Sequence, residues 1–249
     1  ANYKEEYDRM TSQMENKIKN TYISYFNRAG NLEDYSGAEL VANRNKRNLF
    51  ANTNSIPCPI RAGFYVAWDA QSFFSLKANI SKLNMVLPEW FFLNPKTDSI
   101  EVNIDVRAFK IIQSAGVSVV PMLSNFYKDA FNGDAVHRII TDPIKKQKLI
   151  TQIIRLLQLY KFEGINIDFE ELKEASDENF IQFQKELYTT LHTKGFLVTQ
   201  DVSPFNEDYN YKELSKYNDY LFLMAYDQHS SDGMPGAICS QKWIESVVD

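Results

Sequence analysis

Two acids and an amide recur at alternate positions inside one apolar segment, residues 164–170 (GINIDFE). Asn166, Asp168 and Glu170 are separated by isoleucine or phenylalanine, so in a β-strand the three polar side chains share one face. A buried carboxylate without partners is costly, or its pKa rises, so such a row is typical of paired, hydrogen-bonded or catalytic acids. General acid–base chemistry is one prediction, and an internal polar network that only fixes the fold is the alternative.

Six β-rich segments alternate with helical stretches, of which 144–160 and 174–193 are the clearest. Nearly continuous apolar strands that alternate with helices predict a parallel sheet with its outer face covered, here an α/β fold of the (β/α)8 TIM-barrel type. A closed barrel needs eight strands, so we expect an incomplete barrel that is truncated before strands 7 and 8. The six segments are 61–68 (RAGFYVAW), 83–90 (LNMVLPEW), 117–123 (VSVVPML), 164–170 (GINIDFE), 196–202 (FLVTQDV) and 219–226 (DYLFLMAY).

The N-terminal part of the chain has a different pattern. Residues 3–27 repeat tyrosine, methionine and isoleucine every three or four positions, which predicts an amphipathic helix. Its apolar stripe could bind a partner chain or pack against its own domain. A polar, asparagine-rich connecting segment follows, so we predict an N-terminal extension over 1–59 and a barrel over 60–249.

Composition excludes several classes of function. The 249 residues carry 27 Lys and Arg against 32 Asp and Glu, a net charge of −5 without a basic cluster, so no nucleic-acid partner is predicted. The two cysteines, Cys58 and Cys239, and the three histidines show no metal-ligand spacing, so no metal or cofactor is predicted. Whether the two cysteines form a disulfide bond is left open. No apolar run reaches the roughly 18 residues of a membrane span, so any membrane link is expected in parts of the protein outside this chain.

Two motifs carry a family resemblance. FEGINIDFE (162–170) resembles the strand-four signature Asp-Gly-x-Asp-x-Asp-x-Glu of glycoside hydrolase family 18, the chitinase-like barrels. LMAYD (223–227) resembles that family's Met-x-Tyr-Asp motif on strand six, and the resemblance covers about residues 60–249. It implies a retaining glycosidase for β-linked N-acetylhexosamine glycans whose nucleophile is the substrate's own 2-acetamido oxygen.

The same resemblance implies roles for four residues. Glu170 is expected to protonate the glycosidic oxygen and then to activate water. Asp168 is expected to orient the acetamido group, with Asn166 supporting it, and Tyr226 to hydrogen-bond the acetamido oxygen.

A narrower similarity concerns the context of the barrel. Four segments are similar to the chitinase-like module of bacterial proteins that also carry a polysaccharide deacetylase and a membrane glycosyltransferase: GFYVAWD (63–69), LNMVLPEWFF (83–92), GINIDFEEL (164–172) and FLMAYDQ (222–228). This similarity implies an extracytoplasmic location and a polysaccharide or oligosaccharide partner that contains N-acetylhexosamine.

The chain departs from the family signature at three places. Glu163 stands at the first acidic position, PMLSN (121–125) replaces the Ser-x-Gly-Gly pattern of strand three, and Asn166 replaces the inner aspartate. An amide can hydrogen-bond to Asp168 but cannot accept its proton, which brings activity on ordinary chitin into question. The alternative function is therefore a catalytically weakened glycan-binding module that guides a polymer to neighbouring deacetylase or synthase domains, although the retained Glu170 favours hydrolysis.

Other residues at the strand ends are candidates for substrate binding. The aromatic ones could stack on sugar faces or pack in the core, and both interpretations stay open. Asp201 ends strand five beside Gln200 and is a weaker candidate of the same kind. The predicted substrate-binding residues are Tyr65, Trp68, Glu89, Trp90, Gln200, Met224 and Asp227.

Overall fold

A curled sheet of six parallel strands in chain order forms the centre of the molecule. The computed structural model describes residues 59–172, 178–226, 228–229 and 233–248. The strands are β1 Ala62–Tyr65, β2 Met85–Asn94, β3 Ser99–Val102, β4 Ser118–Val119, β5 Met122–Ser124, β6 Phe126–Tyr127, β7 Ala130–Phe131, β8 Gly164–Asp168, β9 Leu197–Val202 and β10 Tyr220–Leu223. The sheet order is β1-β2-β5-β8-β9-β10; β4 pairs in parallel with β2 and β3 pairs antiparallel with it, while β6 and β7 form a separate hairpin. The predicted incomplete (β/α)8 arrangement is confirmed.

Helices cover the outer face of this sheet, and several begin at an aspartate. Asp69, Asp105 and Asp142 each accept a hydrogen bond from a backbone N–H of the first turn, which satisfies donors that a helix leaves unpaired. The helices are α1 Ala70–Asn79, α2 Val106–Ala115, α3 Gly133–Ile140, α4 Pro143–Tyr160, α5 Glu178–His192, α6 Tyr211–Leu214 and α7 Gln241–Val248, with 3-10 turns at Ile80–Lys82 and Ser215–Tyr217. The predicted helix 144–160 is present as α4, and the described part of the predicted helix 174–193 is present as α5.

The strand predicted over 117–123 is divided into β4 and β5. Val120 and Pro121 separate the two pieces, and a proline has no N–H to donate to a strand ladder. Parallel pairing continues across the break, because the Val120 N–H donates to the Val86 carbonyl and the Pro121 carbonyl accepts from Asn166 N–H. The two pieces together therefore occupy the place of the third barrel strand.

The sheet separates two apolar layers. On the outer side, Ile165, Ile167 and Phe169 pack among helical residues in the main core. On the concave side, Met85 and Leu87 of β2 form a smaller cluster with Val120, Met122 and Leu197. The alternating polar residues of β8 lie on this concave side, next to the smaller cluster.

Several sequence predictions lie outside the described residues. They are the helix over 3–27, the connecting segment up to 58, Cys58 and Asp227. Cys239 is exposed. Within the described ranges no helix has the length and apolar character needed to cross a bilayer.

Candidate active site

The polar row of β8 ends at the carboxyl rim of the sheet. Asn166 and Asp168 are buried, with Asp168 only 5% exposed, and Glu170 follows in the loop after the strand, half-buried. The register places Asn166 beside Thr199 of β9 and Asp168 beside Ser124 of β5. The Ser124 side chain forms a hydrogen bond with the Asp168 carboxyl. The structure thus brings the three predicted residues of this strand to one end of the sheet.

The Asn166 amide joins two strands. Its Nδ2 donates to Asp201 Oδ2, and its Oδ1 accepts from the Thr199 hydroxyl at 2.6 Å. Both ends of the amide are therefore committed to β9. Asn166 therefore fixes the position of the Asp201 carboxyl on β9, and it lies two residues before Asp168 on β8.

Burial dominates the electrostatics of the two inner carboxyls. It raises the pKa of Asp168 to about 6, and the hydrogen bond from Ser124 opposes the rise. The pKa of Asp201 is also raised well above its ordinary value, first by burial and then by the charge of Asp168, and the hydrogen bond from Asn166 opposes this rise. The negative charge of Glu170 adds to this rise. Two neighbouring carboxyls that interact in this way titrate as a pair.

The loop that carries Glu170 is fixed through its backbone. The buried Asn125 side chain accepts from the Glu170 N–H at 2.9 Å and donates to the Glu170 carbonyl at 2.8 Å. The Tyr209 hydroxyl donates to the Phe169 carbonyl at 2.8 Å, and the Leu172 N–H donates to the Asp208 carboxyl. These bonds hold the Glu170 main chain, so the general-acid candidate extends from a rigid support.

Close packing at the start of α3 adds to this support. Gly133 lies so near the Glu171 carbonyl that a Cβ at this position would be 2.0 Å from the oxygen. Glu171 itself has a φ of 51°, which is uncommon for a residue with a side chain. Only a glycine at 133 allows the helix to meet this turn.

Trp68 and Glu89 form a second group at the rim. The indole Nε1 of Trp68 donates to Glu89 Oε2 at 2.8 Å, while the ring remains 62% exposed. Burial raises the pKa of Glu89, the bond from Trp68 lowers it, and the charge of Asp168 raises it. The effect of Asp168 places Glu89 within electrostatic reach of the inner acids, and the exposed indole offers a flat apolar face beside Glu89.

Two of the aromatic candidates for sugar stacking, Trp90 and Tyr65, lie in the core instead. Trp90 is 0% exposed and packs against Phe109 and Phe162 beneath the helices. Tyr65 is buried too, and its hydroxyl donates to Asp105 Oδ2 at 2.7 Å. Glu89 lies on the concave side, so strand alternation sends Trp90 to the helical side. The structure therefore supports the core-packing interpretation for both rings.

Gln200, which was a candidate for substrate binding, also faces the helices. It is buried, and its Oε1 accepts from Asn218 Nδ2 at 3.2 Å, on the helical side where Asn218 also contacts Gln184. Its neighbour Asp201 faces the concave side instead. Because Thr199 bonds to Asn166, alternation along β9 assigns Asp201 to the site. The sequence alone indicates that Gln200 and Asp201 lie on opposite faces of the strand.

The motif after β10 is only partly described. Met224 N–H donates to the Val202 carbonyl, which extends the pairing of β10 with β9 by one residue. Tyr226 follows in a turn closed by its N–H on the Met224 carbonyl, and its side chain is 49% exposed. Their predicted roles stay predictions, as does that of Asp227.

Comparisons with known proteins bear on the family and the fold of the chain. The family model described as Glycosyl hydrolases family 18 matches residues 61–243. The Uncharacterized glycosylase YvbX of Bacillus subtilis is 28% identical over 194 residues, which are 73% of this chain and 56% of that relative. The crystal structure of a chitinase from Chromobacterium violaceum has a TM-score of 0.69 at 22% identity, covering 76% of this chain and 62% of the other.

A second similar structure contains a sugar ligand. It is a mutant class V chitinase from Nicotiana tobaccum in complex with NAG4, with a TM-score of 0.57 at 20% identity, covering 68% of this chain and 52% of the other. At this identity the likeness concerns the fold. The chain spans between 52% and 62% of the length of these three proteins.

Proposed function

The chain belongs to glycosyl hydrolases family 18, and from this membership we propose that it hydrolyses glycans of β-linked N-acetylhexosamine by a substrate-assisted, retaining reaction. The observation that carries the proposal is the fixed position of Glu170. Asn125 holds its backbone at the rim, two residues after the buried Asp168. This arrangement presents an acid to a sugar bound at the mouth of the barrel.

The origin of the two acids argues against a protein nucleophile. A retaining enzyme with two carboxylates needs them on opposite faces of the sugar, roughly 5 to 5.5 Å apart. Asp168 ends β8 and Glu170 comes two residues later, so both approach a sugar from the same side. The acetamido oxygen of the substrate can reach the anomeric carbon from the other side, which makes it the nucleophile in this proposal.

The steps then assign one task to each group. Glu170 gives its proton to the glycosidic oxygen as the bond to the anomeric carbon breaks and the acetamido oxygen bonds to that carbon. Asp168, as the anion, accepts from the acetamido N–H and stabilises the positive charge of the oxazolinium ring. Tyr226 donates to the acetamido oxygen and directs its attack. Glu170 then takes a proton from the water that opens the ring.

Trp68 and Glu89 supply sugar contacts at the same rim. The exposed indole is available for stacking on a pyranose face, and its N–H is already held by Glu89. The NAG4 complex of the tobacco chitinase supports N-acetylglucosamine oligomers as the first ligands to try. Met224, by its place at the end of β10, is proposed to contact the acetamido group.

A glycan-binding module is the second candidate. One observation favours it: the Asn166 amide stands where the family signature has an acid and is bonded to Asp201 and Thr199. An amide cannot take a proton from Asp168, so turnover can be slow while the binding cleft is kept. Such a module would guide a polymer to a neighbouring enzyme without cutting it.

The experiment that separates the two candidates uses the parent chain and Glu170→Gln. Each is incubated with N-acetylglucosamine oligomers and with N-acetylated bacterial exopolysaccharide, and products and binding are measured separately. Hydrolysis by the parent that falls about 10²-fold or more in the variant, with binding retained, supports the enzyme. Binding by both proteins without any cleavage supports the module.

The cellular context is a further part of this proposal. The similarity of residues 63–69, 83–92, 164–172 and 222–228 to modules joined to polysaccharide deacetylase and membrane glycosyltransferase domains supports an extracytoplasmic site of action. Protease treatment of intact cells tests it. Digestion of the domain from outside is the expected result, and full protection until lysis would contradict it.

A further inference from the structure

Two buried carboxyls lie next to each other on adjacent strands. The register of β8 and β9 pairs Asn166 with Thr199 and Ile167 with Gln200, so one further step sets Asp168 beside Asp201. Neighbouring strands are about 4.8 Å apart, and alternation turns both carboxyls to the concave side. Asp168 is 5% and Asp201 1% exposed, so little water reaches either of them.

The hydrogen bonds of Asp201 are unequal. Its Oδ2 accepts from the Asn166 amide, whereas its buried Oδ1 has no hydrogen-bond partner among the described residues. An ionised oxygen in this position is an acceptor without a donor, which is costly in a buried site. A protonated Oδ1 is itself a donor, and the Asp168 carboxylate, whose charge acts on Asp201, lies on the next strand.

From this geometry we infer that Asp201 is a positioning residue for the reaction: the Asp168 and Asp201 carboxyls hold one proton between them, which resides on Asp201, so that Asp168 meets the acetamido group as the anion. The carboxyl that the family signature has at position 166 is thereby replaced by one from the adjacent strand. The catalytic part of this inference rests on the proposed function. The location of the proton does not.

The groups around the pair favour retention of this proton. Glu170 after β8 and Glu89 from β2 are both acids, and their negative charges oppose a second ionisation. Tyr209, from the loop after β9, has its pKa raised by burial and then by Glu170 and Asp168. From β10, the register neighbour of Asp201 is the uncharged Phe222. Like charges this close do not both ionise readily, so one proton stays on the pair.

Infrared difference spectroscopy tests where the proton lies without requiring turnover. Spectra of the parent chain with ¹³C-labelled aspartate carboxyls are compared at neutral pH with those of Asp201→Asn. As a matched control, Asp142→Asn makes the same replacement at the N-cap of α4. A protonated-carboxyl band that is present in the parent and in the control but absent from Asp201→Asn supports the inference.

Asp168→Asn gives a second spectroscopic readout, which serves even where Asp201→Asn fails to fold. With the neighbouring charge removed, Asp201 is expected to keep its proton only to a lower pH, so the band titrates earlier than in the parent. Loss of the band at every pH in Asp168→Asn would place the proton on Asp168 and overturn the inference. A parent spectrum without the band would overturn it as well.

Kinetics test the positioning role. Asp201→Asn retains a neutral group that donates toward Asp168 and accepts from Asn166, so we expect kcat within about threefold of the parent, a barrier change below about 1 kcal/mol. Asp201→Ala removes both functions, and the misplaced Asp168 is expected to lower kcat by roughly 10²-fold with little change in KM. Equal impairment of both variants would mean that the Asp201 carboxylate itself is needed, which contradicts the inference. A parent without glycosidase activity would refute the proposed function, while the spectra would still locate the proton.

Discussion

The buried carboxyl of Asp168 is expected to cost the protein stability above mildly acidic pH, and its replacement by asparagine should recover that stability. Burial raises the Asp168 pKa from 3.8 to about 6, so the folded protein binds this proton more tightly than the unfolded chain does. The free energy of unfolding therefore falls as pH rises from about 4 to about 6 and stays lower above that range. Asp168→Asn removes the ionising group while keeping an oxygen that can accept from Ser124.

The magnitude follows from the two pKa values. A rise from 3.8 to about 6 corresponds to about 3 kcal/mol, at roughly 1.4 kcal/mol for each pH unit. Because Asp168 shares its proton equilibrium with Asp201, we take this as the upper end and expect a gain of ~1–3 kcal/mol at about pH 8. Near pH 4 the carboxyl is protonated in the folded protein, and the expected gain is close to zero.

Urea unfolding of parent and variant at about pH 4 and pH 8 measures both quantities. Asp98→Asn is a control of opposite sign, because hydrogen bonds from Arg138 and Lys145 lower the Asp98 pKa. The Asp98 carboxylate stabilises the fold above its ordinary pKa, so this control should lose about 0.5–1 kcal/mol at pH 8 and less at pH 4. The reasoning is refuted if Asp168→Asn unfolds at the same urea concentration as the parent at both pH values.

Two further predictions concern the support of Glu170 and the aromatic residues of the rim. Asn125→Ala removes both side-chain bonds to the Glu170 backbone and should lower kcat by ~10–10²-fold with a smaller change in KM, as measured by initial rates on N-acetylglucosamine oligomers. An unchanged kcat would show that the loop is fixed without this amide. Trp68→Ala should weaken oligomer binding, as measured by calorimetry, and change the free energy of unfolding by less than about 0.5 kcal/mol, whereas Trp90→Ala should lower it by ~3–5 kcal/mol because the Trp90 ring lies in the core. Equal effects of the two variants would contradict their assignment to different faces.

Strand periodicity was sufficient to place the acids and to indicate the barrel. The alternation of Asn166 and Asp168 with isoleucines requires a two-faced strand, and the recurring helices require a parallel sheet. The same rule, applied to the ends of β2 and β9, also separates Glu89 from Trp90 and Asp201 from Gln200. The substrate-binding prediction included both Glu89 and Trp90, and it favoured Gln200 over Asp201. For this reason it named two residues that face the helices, Trp90 and Gln200.

Other features depend on contacts between distant segments and have no local pattern. Asn125 bonds to the backbone of a residue 45 positions later, and the PMLSN segment gives no sign of this partner. The pairing of Asp168 with Asp201 depends on strand register, which is set by packing across the whole sheet. Gly133 packs against the backbone of the turn at Glu171, which leaves no room for a Cβ. The need for glycine at this position therefore becomes visible only in three dimensions.

The reaction of N-acetylated oligomers compared with that of their deacetylated counterparts tests the central claim most directly. The parent chain is incubated with N-acetylglucosamine and glucosamine oligomers of equal length, and proton NMR follows the anomer released first. If the acetamido oxygen is the nucleophile, only the N-acetylated oligomer is cleaved and its product appears as the β anomer. Cleavage of both oligomers at similar rates, or first release of the α anomer, would contradict the account.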